Sequence, residues 1–352
     1  MYKSIRYYND FKYLKNEELN KKSNYIIFVT EDFDFNHENF LSLDIKFYGA
    51  IFPKIIYKNN SYNNGFLLIE LRENTQVLFF ENINETTFID NQFEFTKSII
   101  SIFDGFSTFS CKFLEELFEN IKLHTNIVGG GAGLLNKPRG KNIFSNDGIF
   151  LDSAFVILLE KKMDLGIGHG WKYLEGPFIA TKTKENTIEE IDYENAFDVY
   201  KKVVEEDCKK IITKDNFLEI SMCYPLGIVK FNGESLIRDP IEIDEYGNMR
   251  LAGDIKTNTI FNILKGDKQE LITAAVQAAK ESSINCNEIF LFECITRLQF
   301  LADSFDIEIE QILNSTNIEN IYGIFSVGEV GNNGDRYINI LNKTSVMSQI
   351  WH

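Results

Sequence analysis

"SIISIFDG", residues 98–105, is followed by "FLEELFENI" at 113–121 and "NIVGGGAG" at 126–133. The first run is apolar and β-branched and stops at Asp104 and Gly105, which reads as a buried strand closed by a turn. In the second, Phe113, Leu114, Leu117, Phe118 and Ile121 recur at helical spacing. The third reads as a strand ending in glycines. The same order returns in "EIFLFEC" (288–294), "RLQFLADSFDIEIEQIL" (297–313) and "IYGIFSVGEVG" (321–331). Two such rhyming stretches fit an internal duplication, and equally the monotony of any α/β chain. The expected class is α/β (α+β), with two related mixed-sheet regions. Both glycine-ended strands would deliver backbone to a shared cleft.

Elsewhere, "NYIIFVT" (24–30) reads as a buried strand, and "GFLLIEL" (65–71) with "TQVLFF" (75–80) as a hairpin. "GIFLDSAFVILLE" (148–160) reads as one long strand. Residues 1–23 are polar and aromatic-dotted, an extension expected to pack loosely. "TKTKENTIEEID" (181–192) lacks an apolar face and reads as the join between the halves. After it, Ala196, Val199, Tyr200, Val203, Val204, Cys208, Ile211 and Ile212 form a helical stripe with Asp192 as its expected N-cap. Asp267 and Glu270 make a capping box ahead of the Ala-rich helix "LITAAVQAAKE".

At 352 residues the chain exceeds one typical core, so two domains or large subdomains are expected. The net charge of −16 works against nucleic acid and anionic membrane as partners. No apolar run approaches a membrane span and the N-terminus has no signal-like core, so a soluble protein is expected. Cys111, Cys208, Cys223, Cys286 and Cys294 form no CxxC pair, and the 4 histidines form no HExxH. A reducing cytoplasm is the expected compartment, and no metal or cofactor is expected.

The glycine stretch is not a nucleotide cradle. After Gly129 and Gly131 the sixth position is Leu134, and no Gly-Lys-Ser/Thr follows. Bare main chain over Gly129, Gly130, Gly131, Ala132 and Gly133 admits a ligand to its N–H groups. It equally admits a second backbone in a tight crossing.

In chain order, "GGGAG", "HGW" (169–171), "LIRDP" around Arg238, "FECITR" (292–297), "GEV" (328–330) and "NKT" (342–344) resemble the FIST family, the F-box and intracellular signal transduction proteins. Leu134 departs from the acidic residue that often follows the family's glycines. The resemblance implies an N-terminal FIST region at 24–185 and a C-terminal one at 186–348. It implies a non-catalytic sensor for a small polar ligand, with amino acids suspected. Because no output domain remains once these regions are counted, the signal is expected to pass to a separate protein partner in trans, or through an oligomer.

Several residues could hold that ligand. Arg297 could grip a carboxylate in bidentate fashion, and Glu329 could accept from an ammonium. The competing reading is an internal Arg297–Glu329 ion pair. In "GIGHGW", alternate glycines would leave one strand face bare while Ile167, His169 and Trp171 project from the other. Trp171 would then be a hydrophobic wall and His169 a donor, against a core tryptophan and a satisfied histidine. Arg238 reads as a surface or inter-strand contact. Cys294 carries the enzymatic alternative, a thiol activated by Arg297 and a helix start with His169 as base, against inert packing. An interaction scaffold is a third reading.

Overall fold

The computed structural model describes residues 2–15, 17–89, 92–230, 235–284, 286–333 and 337–349, to which all counts refer. The first unit runs β1 (Tyr2–Tyr8), α1 (Phe11–Leu14), β2 (Asn24–Thr30), α2 (His37–Leu41), β3 (Lys46–Phe52), β4 (Lys54–Tyr57), β5 (Asn60–Tyr62) and β6 (Phe66–Leu71). The second runs β7 (Gln76–Phe80), β8 (Ser98–Asp104), α3 (Ser110–Asn120), β9 (Asn126–Ala132), β10 (Ile143–Ser145), β11 (Gly148–Phe150) and β12 (Ala154–Leu159). A third begins with β13 (Leu165–Gly168) and is interrupted by an inserted layer. That layer comprises β14 (Lys172–Lys184), β15 (Thr187–Ile191), β16 (Glu194–Asn195), α4 (Ala196–Cys208), α5 (Phe217–Ser221), β17 (Leu226–Val229), β18 (Ser235–Ile243), β19 (Met249–Ala252) and β20 (Thr259–Lys265). The third unit resumes with α6 (Lys268–Ser282), β21 (Glu288–Cys294), α7 (Ile295–Leu301), α8 (Ser304–Ser315), β22 (Asn320–Ser326), β23 (Glu329–Asn332), β24 (Ile340–Leu341) and β25 (Ser345–Gln349).

The class is α/β with mixed sheets. Each unit centres on a parallel pair joined through helix: β2 with β3, β8 with β9, and β21 with β22. The two stretches that rhyme in sequence are the second and third of these, and "NYIIFVT" opens a matching one. After each pair a hairpin crosses to a neighbour's sheet. β4–β5 joins β22, β10–β11 joins β3, and β23–β24 joins β9. The chain then returns to its own sheet through β6, β12 and β25. Three 6-stranded sheets are thereby laced together in a ring.

Their inner faces share one apolar core, to which Ile26, Phe28, Ile100, Ile102, Phe290 and Phe292 belong. Alternate residues of the same strands face outward beneath helices, as Tyr25 and Ile27 do under α1 and α2, and Ile289 and Leu291 under α6 to α8. Strands buried on both faces are therefore continuously apolar. The inserted layer is a 7-stranded sheet backed by α4 and α5 with its own core.

One constraint recurs at the middle of every second parallel strand. Gly49 pairs with Ile27, Gly129 with Ser101, and Gly323 with Leu291. A Cβ there would lie 2.6, 1.9 and 2.1 Å from the partner's carbonyl oxygen. The bare face of "GIGHGW" is used the same way: Cβ atoms on Gly166 and Gly168 would strike the Ala278 and Ala274 carbonyl oxygens of α6 at 1.8 and 2.5 Å.

Some expectations from sequence are corrected. Residues 2–8 form strand β1 antiparallel to β6, with Tyr2, Ile5 and Tyr8 buried. β6 and β7 lie in different sheets, so they are no hairpin. Residues 148–160 break at Asp152 (φ 51°), sending β11 and β12 to separate sheets. The stretch 181–192, read as the join between the halves, is structured: the end of β14 turns and pairs with β15, which buries Ile188 and Ile191. Asn195, not Asp192, caps α4, whereas Asp267 accepts from the Glu270 amide at 3.0 Å as the capping box requires.

Gly129→Ala and Gly323→Ala should each lower unfolding free energy by about 3 kcal/mol or more, because backbone must move. Gly140→Ala, whose nearest neighbour would be 3.7 Å away, should leave it unchanged in the same denaturant titration.

Candidate functional site

The carboxyl ends of β21 and β22 set Cys294 beside Ser326, and β23 sets Glu329 opposite Gly130. A Cβ on Gly130 would reach the Ser326 Cβ at 2.8 Å. Residues 129–133 and the 294–329 segment thus meet, as expected from sequence, but they meet as packed core. Gly129, Gly130, Gly131, Ala132 and Gly133 are all buried, and the glycines through Ala132 lie inside β9, a central strand.

Arg297 does not face Glu329. Its guanidinium is fully buried and donates from Nη1 to Glu293 Oε1 at 2.6 Å and Glu308 Oε1 at 2.8 Å, and from Nη2 to the Leu271 carbonyl at 2.8 Å. Nη2 also pairs with Glu308 Oε2. Burial alone would weaken its hold on the proton, but Glu293 and then Glu308 keep it charged. The expected ligand clamp is occupied internally. The reason is a break at Ala302 (φ 49°), which splits the expected single helix into α7 and α8 and folds Glu308 back onto Arg297.

Glu329 accepts from Ser326 Oγ at 2.8 Å, and its Oε2 has no partner among the described residues. Burial pushes its carboxyl well above the usual range, and nearby Glu293 adds to this. Cys294 Sγ lies 3.3 Å from Thr296 Oγ1, and burial followed by the Glu329 charge pushes the thiol up to about 12. Burial also raises Glu293 to about 7 against the pull of Arg297. Two carboxylates, Glu293 and Glu308, thus share one guanidinium, while Glu329 lies outside that set and is pushed toward its neutral form by burial.

Trp171 is buried, donates from Nε1 to the Lys343 carbonyl at 3.0 Å and packs 5.0 Å from the Phe300 ring. His169 accepts on Nδ1 from the Trp171 amide at 3.0 Å, so that nitrogen is engaged locally. Lys343 was missed from sequence, although it sits inside "NKT". It is fully buried at φ 49°, pairs with Asp239 at 3.1 Å and lies 5.0 Å over the Trp171 ring. Asn342 braces the inserted layer by donating to the Ala252 carbonyl at 2.8 Å.

Open space lies just outside this cluster. A groove of about 720 Å³ runs past the ends of β2 and β3, between Lys54 on one side and α7–α8 on the other. The loop after β9 forms its end wall, pinned by Glu31, whose carboxylate accepts from the Leu135 amide at 2.7 Å and from Asn136 Nδ2 at 2.6 Å. Lys54, Asp32, Asp303 and Asp306 line it, and none forms an ion pair among the described residues. Crevices outside the carboxyl ends of parallel strands are where open α/β sheets take ligands. Among the described residues no group of His, Cys, Asp and Glu could hold a metal, and no helix is long and apolar enough to cross a membrane.

Breaking the buried triad through Glu308→Gln should cost about 3–5 kcal/mol. Glu329 gives a pH signature. Its folded pKa is raised, so its contribution is complete at acid pH and declines as pH rises from the ordinary carboxylate range through the folded value. Glu329→Gln cannot ionise, so between about pH 5 and 8 its stability should fall less than that of the unaltered protein in parallel denaturant titrations.

Residues 28–194 match the family model for the FIST N domain and residues 196–332 that for the FIST C domain. The chain belongs to the FIST family, whose domains are recognised as sensory domains of signal transduction. No curated protein matches it.

Proposed function

We propose that this FIST-family chain is a non-catalytic sensor for a small polar ligand, a zwitterion such as an amino acid, held in the groove between Lys54 and α7–α8. One observation carries the reading. The half-buried Lys54 cation, which makes no ion pair among the described residues, faces Asp303 and Asp306 across open space at the carboxyl ends of two parallel pairs. A carboxylate would pair with Lys54 and an ammonium with the aspartates opposite, which restores the opposed charges first sought in Arg297 and Glu329. The ligand would rest on α7, whose other face carries the Arg297 triad.

The enzymatic alternative is weakened by the same cluster. A thiol pushed up to about 12 by burial and by the neighbouring Glu329 is not ionised near neutrality. A partner in trans has a surface to read. Ile179 pairs with Ile260 across β14 and β20, and Val229 continues the row on β17, each at least 40% exposed. This contiguous apolar row on the inserted sheet supports transmission to a protein partner or a second copy.

Thermal-shift and calorimetric screening across amino acids and their amide or deaminated analogues tests the proposal. A binder should be lost in Lys54→Ala and weakened about tenfold in Asp306→Asn, while both variants keep the parent's melting temperature. A panel without any binder, or one indifferent to Lys54, refutes it. In the same samples Cys294 should resist iodoacetamide until the chain is unfolded; rapid labelling of the native protein would revive the nucleophile.

A further inference from the structure

Arg238 breaks the pattern set by the other arginines. Among those described, Arg6, Arg139, Arg250 and Arg297 each hold a carboxylate, and Arg72 is exposed. Arg238 is only 6% exposed, yet no carboxylate lies within ion-pair distance. Sequence suggested a surface or inter-strand contact; the structure gives the second, burying Arg238 where β18, β24 and the segment at Asp254 meet. Its Nε donates to the Asp254 carbonyl at 2.9 Å, and its Nη1 to the Ile237 and Ile340 carbonyls at 2.9 and 3.2 Å. Nη2 has no acceptor among the described residues. A buried cation satisfied only by main-chain dipoles is costly, and burial drags this guanidinium down to about 10.

The side chain lines a cavity of about 290 Å³. One wall is α3, through Cys111 and Leu114; the others are β17–β18 and the approach to β24. Leu114, Ile228, Leu236 and Ile338 make most of it apolar. Gly253, at φ 96°, lets the backbone lie flat on the guanidinium, since a Cβ would reach Nε at 3.0 Å. The site is therefore built: the fork is fixed on one side by carbonyls and open on the other. The rim carries Lys256 but also Glu115 and Asp254, so a dianion such as phosphate would meet stronger repulsion there than a monoanion, whose apolar body also gains contact with the walls.

We infer that the Arg238 cavity is a ligand site of its own, distinct from the groove at Lys54, and that it takes a small organic carboxylate whose apolar body lies against Leu114, Ile228 and Leu236. The carboxylate accepts from Nη2, and the ligand bridges α3 of the FIST N region to β18 of the FIST C region.

The probes are 3-methylbutanoate, its neutral amide and inorganic phosphate, titrated by calorimetry into the full chain. The carboxylate should bind saturably, with the amide and phosphate each at least about tenfold weaker. Arg238→Gln should lose the carboxylate by a similar factor while Lys54→Ala retains it. Because Arg238→Gln removes three buried hydrogen bonds and can unfold the chain, a second readout uses the unaltered protein. Bound 3-methylbutanoate should slow N-ethylmaleimide labelling of Cys111, mapped by peptide, and leave Cys286 unaffected. No saturable carboxylate binding, equal binding of the amide, tighter binding of phosphate, or unprotected Cys111 would each overturn the inference.

Discussion

Three glycines, Gly49, Gly129 and Gly323, set the distance between the strands of each parallel pair, and the remaining architecture follows from that spacing. With no side chain at the midpoint, the partner's carbonyl can sit where a Cβ would otherwise stand. Each pair can then leave its outer strand to receive a hairpin from the next unit. The exchange closes a ring around one apolar core and commits all three sheets to fold together. It also brings the carboxyl ends of pairs from distant parts of the chain to common rims, and the groove at Lys54 lies on one of these.

The same closure explains why the chemically suggestive residues are internal. Packing Glu293 and Glu308 on one guanidinium, with Glu329 close to Glu293, is tolerable because burial favours the neutral form of Glu293 and Glu329 and both Nη groups of Arg297 are engaged. The Arg297 Nε has no partner among the described residues. The result is a rigid polar node beneath α7 that supports the groove floor. Cys294 is buried within it. Rigidity under a site and open charge above it is the arrangement that a binding module needs.

Much of the fold was legible in sequence. Apolar seven-residue runs, the amphipathic stripe of α3 and the Asp267 cap each carry a local signal, and the second and third units rhymed visibly. The first unit escaped because its helices are short and its glycine, in "KFYGAIF", stands alone; set beside "NIYGIFS" it marks the same position. Site geometry was less legible. That "GGGAG" and the 294–329 segment converge could be guessed from motif order. The Arg297 triad could not, because it depends on a chain reversal at Ala302, a residue with no ordinary preference for φ 49°. Lys54 gave no signal, and Arg238, although it stands in the "LIRDP" motif, gave no sign of lacking a carboxylate partner, since that is a property of the folded state alone.

The central claim is that a small polar solute occupies the groove between the first unit and α7–α8. Amide hydrogen exchange of the full chain, with and without the amino acid that binds most tightly, reads this directly. Slower exchange is predicted across 53–63, 134–136 and 295–306, with β21 and β22 unchanged. Unchanged exchange in those three segments under saturating ligand, or protection confined elsewhere, would contradict it.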